Sequence, residues 1–396
     1  MSVETLQAGP AAESGNGVVL DVCRRRDTCV VRFLSEARTS PQPLWFHLEC
    51  TGAAEGARLE FRWENAGACL GLHSPDLLAH VRPVVRRDEG PWQRVGPVRV
   101  RRLPHGEHGV SFETPAGRRR TCAAFCYPYG PADLAATLHE IGRPWRRTVL
   151  CPTAAGNPLP RLAAAPDRRT GRAPSAYFLA RQHAGETPGS WVLDGLLRAV
   201  SAERRGGPLR RVAWHVVPFA DLDGVVQGNY GKDSQPVDFN RSWNAVPMRH
   251  EVLAIQRDAG RVVASAGPCL LVDLHAPAGG ERQFYQFVAH PGRPAEQREA
   301  QRSVLRALAR QFPGVEPDAL RRENGYQARA ETRWDGNHTV TNWAWDRLGG
   351  TPAVTIETTY LCLADGHYLE PADYRQLGGK VAVAIAEWLL AGGPAG

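Results

Sequence analysis

YFLARQHAGETPGSW, residues 177–191, holds an apolar run that ends on a histidine, a short turn carrying a glutamate, and then a helix start. The run Tyr177 to Gln182 predicts a buried strand. Thr187 as N-cap with Pro188 at the first helical position predicts a helix from about Gly189, because proline has no N–H to waste there. The flanking sequence repeats this strand-then-helix unit. RVAWHVVPF (211–219), CLLVDLH (269–275) and AVTIETT (353–359) read as strands. Helical patterns fall near 249–258, from Pro294, and near Tyr374 to Leu390. Strands and helices in alternation predict an α/β domain whose mixed central sheet is flanked by helices.

Upstream the rhythm differs. From Gly17 to about Tyr129 short runs such as TCVVRFL, PLWFHLE, ARLEFRW and RTCAAFCY are broken by Gly, Pro and charged turns. That pattern predicts an N-terminal antiparallel β-sandwich without helices. A short helix is expected in PYGPADLAATLHEIGRPW (128–145), leading into the second domain. The expected division is residues 1–148 and 149–396, in keeping with a chain too long for one ordinary domain.

The composition, 43% apolar and 22% charged, is globular, and no apolar run is long enough for a bilayer. The first residues lack a basic start followed by an apolar stretch, so the expectation is a cytoplasmic location and no membrane partner. Nine cysteines with scattered spacing suggest neither a disulfide framework nor a thiolate metal site. The net charge of +7 is almost all arginine, since Lys232 and Lys380 are the only lysines. The arginine runs are spread along the chain and not interleaved with aromatics, so no nucleic-acid partner is expected.

Sheets of this kind place ligands at the carboxyl ends of their strands, where loops converge. His183 stands at such an end, with Glu186 in the turn that follows. His275 closes CLLVDLH, and Glu357 lies near the end of AVTIETT. Two imidazoles and a carboxylate suit a single Zn2+, which takes three protein ligands at a hydrolytic site. The spacing alone says little: His367 and Glu370 repeat it without an obvious strand before or capped helix after them. Singly, His183 reads as a satisfied strand-end histidine and Glu357 as half of an ion pair. Their shared edge favours three ligands and a general base.

At this point RQHAGETPGSW resembles the zinc signature of the zinc carboxypeptidase family, in its cytosolic branch and related bacterial enzymes. DLDGVVQGNYGKDSQPVDFNRSW, DLHAPAGG and TPAVTIETTY resemble that family's substrate-binding segment, its third-ligand strand and its catalytic-glutamate strand. PLWFHLE, PWQRVG and CYPYGPADL are similar to the small β-domain of the cytosolic branch. The resemblance implies one Zn2+ per chain on His183, Glu186 and His275, with Glu357 as general base. It implies that Asn240 and Arg241 grip the free carboxylate of a peptide or peptide-like substrate, and that Asp238 orients His183. Bottom-up, a guanidinium offers a planar fork to a carboxylate, although Arg241 could equally neutralise a neighbouring acid.

One position departs from the family. Where the cytosolic branch has an oxyanion-stabilising arginine after G-N-Y, this chain has Gly231 and then Lys232. Lys232 either supplies the missing charge or is a solvated loop lysine. An aromatic hydroxyl to close over substrate has only Tyr326 and His338 as candidates. The departure leaves open a zinc amidase or deacylase acting on a small acyl-amino acid, and beyond it a catalytically dead binding protein. Oligomeric state and side-chain preference are not legible.

Overall fold

The computed structural model describes residues 6–25, 27–71, 74–167, 172–244, 246–277, 281–323 and 338–393. Its N-terminal part is a pair of five-stranded sheets. In one, Gln7–Pro10, His47–Thr51, Arg120–Ala124, Val84–Arg87 and Gln93–Arg94 run antiparallel in that order. In the other the order is Val18–Arg25, Thr28–Leu34, Arg58–Trp63, His108–Pro115 and Arg99–Arg102. The expected sandwich is present with one correction, a parallel pair between Thr28–Leu34 and Arg58–Trp63. The chain crosses to the first sheet at His47–Thr51 between these two strands, so it re-enters the second sheet running in the same direction.

Phe46 meets Trp63 of the second sheet edge-on at 4.9 Å between centroids, and within that sheet Phe61 stacks on its cross-strand partner Phe112 at 5.2 Å. Two short helices, Ala66–Leu70 and Pro75–Leu78, lie where none was expected. The helix leading out, Pro131–Ile141, falls as predicted.

The second part is an eight-stranded mixed sheet that begins with Arg146–Pro152, the strand in which the expected boundary falls. Across the sheet lie Arg146–Pro152, Pro158–Ala164, Ala213–Val217, Ser175–Ala180, Cys269–His275, Ala353–Glu357, Tyr285–Val288 and Arg321–Glu323. The four strands from Ala213–Val217 to Ala353–Glu357 are mutually parallel and the flanking pairings are partly antiparallel. Cys269–His275 is buried along its whole length. A strand covered by helices on both faces has no solvent side to alternate, hence an apolar run in CLLVDLH broken only by Asp273 and His275 at its carboxyl end.

The helices Thr187–Ala202, His250–Ser265, Ala295–Ala309 and Pro371–Leu390 cover this sheet. The first begins two residues earlier than expected. Glu186, not Thr187, is its N-cap, and the Glu186 carboxylate makes no capping bond because it is committed elsewhere. A second correction concerns His367 and Glu370: a helix does follow them, with Glu370 as its N-cap and Asp373 closing a capping box. What separates the two H-x-x-E pairs is burial, since His367 is exposed while His183 and Glu186 are buried.

Thr187–Ala202 and Pro371–Leu390 touch backbone to backbone. A Cβ on Gly195 would fall on the Arg375 carbonyl, and one on Gly378 on the Val192 carbonyl. Gly378→Ala must therefore push the helices apart, and it should lower unfolding free energy by about 1–3 kcal/mol. Urea denaturation measures this, and an unshifted midpoint would contradict the close packing.

Candidate metal centre

The three parallel strands Ser175–Ala180, Cys269–His275 and Ala353–Glu357 end together. Ala180 is level with Leu274, and His275 pairs with Glu357. After Ala180 the chain turns through Arg181, whose φ of 60° puts a non-glycine residue in the left-handed region. The buried Arg181 guanidinium holds this turn, with Nε donating to the Ala184 carbonyl at 2.6 Å and Nη1 to the Tyr129 carbonyl at 2.7 Å. Glu186 N then bonds the His183 carbonyl at 3.1 Å, so both side chains face one point.

The Glu186 carboxylate bridges the two imidazoles. Its Oε1 is 2.8 Å from His183 Nδ1 and its Oε2 is 2.7 Å from His275 Nδ1. The ring centroids lie 4.7 Å apart. The opposite nitrogens are engaged by other carboxylates: His183 Nε2 is 3.3 Å from Asp238 Oδ1, and His275 Nε2 is 2.8 Å from Asp273 Oδ2. An imidazole whose Nε2–H is given to a carboxylate carries its lone pair on Nδ1. One donor atom from each of His183, Glu186 and His275 therefore converges, all within 4.8 Å of one another.

That donor set fits a divalent cation. Four buried carboxylates, Glu186, Asp238, Asp273 and Glu357, surround the two rings. Burial opposes protonation of both rings, yet Glu186 and Asp238 around His183, and Asp273 and Glu186 around His275, outweigh it and hold both above the ordinary histidine range. Glu357 Oε2 is buried and has no hydrogen-bond partner among the described residues. Burial pushes the Glu357 carboxyl up to about 7, with His275 acting the other way.

Of the residues named from the sequence, His183, Glu186, His275, Glu357, Asp238, Asn240, Arg241 and Lys232 lie together here. Asp238 caps the turn Phe239–Arg241, accepting from Asn240 N at 2.7 Å, so the residue that touches His183 also shapes the next segment. Asn240 turns its amide toward His275 Nε2 at 3.2 Å and accepts from Gln182 Nε2 at 3.3 Å. Arg241 and Lys232 line a cleft of about 250 Å³ with His183, His275 and Glu357. Lys232 Nζ stands 3.9 Å from Glu186 Oε1. Although burial lowers it, the neighbouring Tyr230, Glu186 and Glu357 keep the Lys232 ammonium above its ordinary range. His338 is exposed, and Tyr326 lies outside the described residues.

Asp273 was not foreseen, although the signal was there. In a strand, residues two apart share a face, so the Asp in Asp273-Leu274-His275 had to lie beside the histidine. Gln182 gave no signal. Its amide donates to Asp273 Oδ2 at 2.7 Å and accepts from Trp243 Nε1 at 2.7 Å, so Trp243 supports the carboxylate behind His275. Tyr285, in a strand absent from the sequence reading, pairs with Glu357 across the sheet and lines the cleft.

The geometry also explains Gly231. Its φ is +91°, and a Cβ there would lie 2.7 Å from Ala184 N and 3.3 Å from His183 Cα. No side chain fits at 231, and the next residue is Lys232.

A buried His-Glu-His cluster stands at the carboxyl edge of the mixed sheet, behind an N-terminal pair of β-sheets. No family model matches the chain. Cytosolic carboxypeptidase 6 of Caenorhabditis elegans is 28% identical over 257 residues, covering 59% of this chain and 54% of that protein. Cytosolic carboxypeptidase 2 of Danio rerio is 29% identical over 233 residues, covering 52% of this chain and 32% of that protein. The chain thus spans about a third to a half of the length of these curated relatives. Among solved structures, the metallo-carboxypeptidase from Burkholderia cenocepacia aligns with a TM-score of 0.74 at 22% identity, covering 97% of this chain and 98% of that one. The metallo-carboxypeptidase from Pseudomonas aeruginosa, solved with (2-guanidinoethylmercapto)succinic acid, aligns at 0.74 and 20% identity over 96% of this chain and 98% of that one. The likeness to the zinc carboxypeptidase family read from the motifs is matched by these relatives, and the fold by these structures.

Gly231→Arg, which restores the family's residue type, should displace the His183 turn and weaken divalent-metal binding at least tenfold, as losses of ligand orientation do. Equilibrium dialysis with zinc measures this. Metal binding at the native level would show that the turn accommodates a side chain after all.

Proposed function

We propose that this chain is a zinc-dependent metallocarboxypeptidase that hydrolyses the amide bond of a C-terminal residue in a peptide or peptide-like substrate. The observation that carries the proposal is the convergence of His183 Nδ1, Glu186 and His275 Nδ1 beside the unpartnered oxygen of Glu357. His183, Glu186 and His275 would hold one Zn2+, whose chemistry when bound is that of a Lewis acid that polarises a carbonyl and acidifies water. The residues of the chain do the rest. Arg241 receives the substrate's terminal carboxylate in the cleft, with Asn240 at its side. Glu357 accepts a proton from the attacking water and returns it to the leaving nitrogen as the C–N bond breaks. Lys232 donates a hydrogen bond to the carbonyl oxygen as negative charge develops on it.

Asp238 and Asp273 keep the imidazoles in the tautomer the metal requires. Support for a carboxylate-bearing ligand comes from the acid bound to the Pseudomonas aeruginosa neighbour. The names of the curated relatives support a cytoplasmic site of action. Among the described residues no helix is long and apolar enough to cross a membrane.

Incubation of the purified protein with a C-terminal peptide library should release single residues, chelation should abolish that release, and zinc should restore it. Glu357→Gln should keep zinc and substrate binding while turnover falls by about 10²–10⁴. Near-normal turnover in that variant would remove Glu357 from the mechanism. Asp273→Asn should weaken zinc affinity about 10- to 100-fold, seen by competition with a chromophoric chelator. Hydrolysis of N-acyl amino acids with no release from peptides would instead establish the amidase reading.

A further inference from the structure

A second polar cavity, which shares no lining residue with the metal-centre cleft, lies in the N-terminal part where it meets the helix Pro131–Ile141. It has a volume of about 260 Å³ and is walled by His47, Arg86, Trp92 and Cys122, with Glu13 and Asp133 among its other lining residues. The inner end is built of buried or half-buried groups, whereas Glu13 and Asp133 are exposed and form the mouth.

Two groups in the wall lack what their chemistry asks for. His47 is only 6% exposed, and its Nε2 has no hydrogen-bond partner among the described residues. Its Nδ1 is 3.2 Å from Ser14 Oγ. The Glu13 backbone also bonds this ring, and in the tautomer whose proton sits on Nε2 the Ser14 hydroxyl donates to Nδ1 while Nε2–H faces a ligand oxygen. Burial, and then the charge of Arg86, bring the His47 imidazole down to about 4, so the ring is neutral at physiological pH. Arg86 is the second group. Its guanidinium lies over the Trp92 ring at 4.9 Å, and its Nε has no hydrogen-bond partner among the described residues. The other guanidinium of the cavity is already engaged, since Arg120 pairs with Glu49 at 3.0 Å and with Glu89 at 2.7 Å. Glu49 lines the same wall, but its carboxylate is met by Arg120, which leaves Arg86 and the His47 ring to face an anion.

The mouth has the opposite need. Loss of solvent, and for Glu13 the neighbouring Asp133, hold both carboxyls above the usual carboxylate range. Asp133 spends one oxygen on Gly130 N at 2.8 Å, and Gly130 is itself the N-cap of the helix. A Cβ on Gly130 would fall on Glu13 Oε1, so the Glu13 carboxylate rests against the start of the helix. Two crowded carboxylates at a rim attract a cation of ammonium size.

We propose that this cavity binds a free α-amino acid, with its carboxylate inward on Arg86 and His47 Nε2 and its ammonium outward between Glu13 and Asp133. Anion donors at one end and carboxylates at the other select a zwitterion over a simple anion or cation. The assignment stands without the catalytic reading of the metal centre.

The test is calorimetric titration of the full-length Arg241→Ala protein with each of the common free amino acids, the substitution serving to suppress binding in the catalytic cleft. At least one should bind with a dissociation constant in the millimolar range or below, and its N-acetyl and amide derivatives should bind at least tenfold more weakly. Arg86→Met should reduce the affinity at least tenfold, as loss of a charge-assisted pair does. Glu13→Gln, an isosteric change at the exposed rim, should weaken amino-acid binding while sparing acetate, and it keeps the test open should the Arg86 variant fold poorly. Saturation by none of the amino acids would overturn the proposal. So would acetate binding as tightly as the amino acid, or binding that neither Arg86→Met nor Glu13→Gln alters.

Discussion

Glu186 holds the site together. One of its oxygens faces His183 Nδ1 and the other His275 Nδ1, across a sequence separation of 92 positions between the histidines. A buried carboxylate between two buried imidazoles is stable only when its charge is met, and here each ring is backed by a further carboxylate. The surplus of buried negative charge is what makes a divalent cation the natural occupant. The same commitment explains a local irregularity: Glu186 occupies the N-cap of Thr187–Ala202 yet gives the helix no side-chain bond.

The constraint extends into the N-terminal part. Arg181 ties the metal turn to the Tyr129 carbonyl, and Trp191 in the following helix donates to the Tyr127 carbonyl at 3.1 Å. From the other side, Gln42 donates to Asp233 at 2.7 Å and Gln235 N bonds the Thr39 carbonyl at 2.7 Å. The loop bearing Lys232, Asp238 and Arg241 is thus braced by the first sheets as well as by the second. A loop that carries charged side chains into a cleft pays in flexibility unless something fixes it, and the N-terminal part supplies that support.

Gly231 and Lys232 depart from the zinc carboxypeptidase pattern that the sequence resembles, for a steric reason. The backbone at 231 passes too close to Ala184 N for any Cβ, so a side chain aligned there would disrupt the His183 turn. The adjacent residue points into the cleft instead, and its ammonium reaches the same carboxylate cluster. A lysine delivers charge without the fork of a guanidinium, which leaves orientation to the surrounding groups.

Local sequence determined the strands and helices that carry the site. Buried parallel strands show as continuous apolar runs, and CLLVDLH and AVTIE fall where the runs said they would. The strand ends then pointed to His183, His275 and Glu357, because parallel strands expose their carboxyl edges together. The strands Arg146–Pro152, Pro158–Ala164, Tyr285–Val288 and Arg321–Glu323, which make up the two margins of the sheet, were not legible, since such strands carry weak periodicity and take their pairing from neighbours. The parallel pair in the first domain was equally hidden, because strand direction depends on which sheet an intervening strand joins. Which imidazole nitrogen faces the metal position, which carboxylate backs it, and why residue 231 is glycine were decided by tertiary structure alone. Those facts are distances between chain segments far apart in sequence, and no pattern of neighbouring residues encodes a distance.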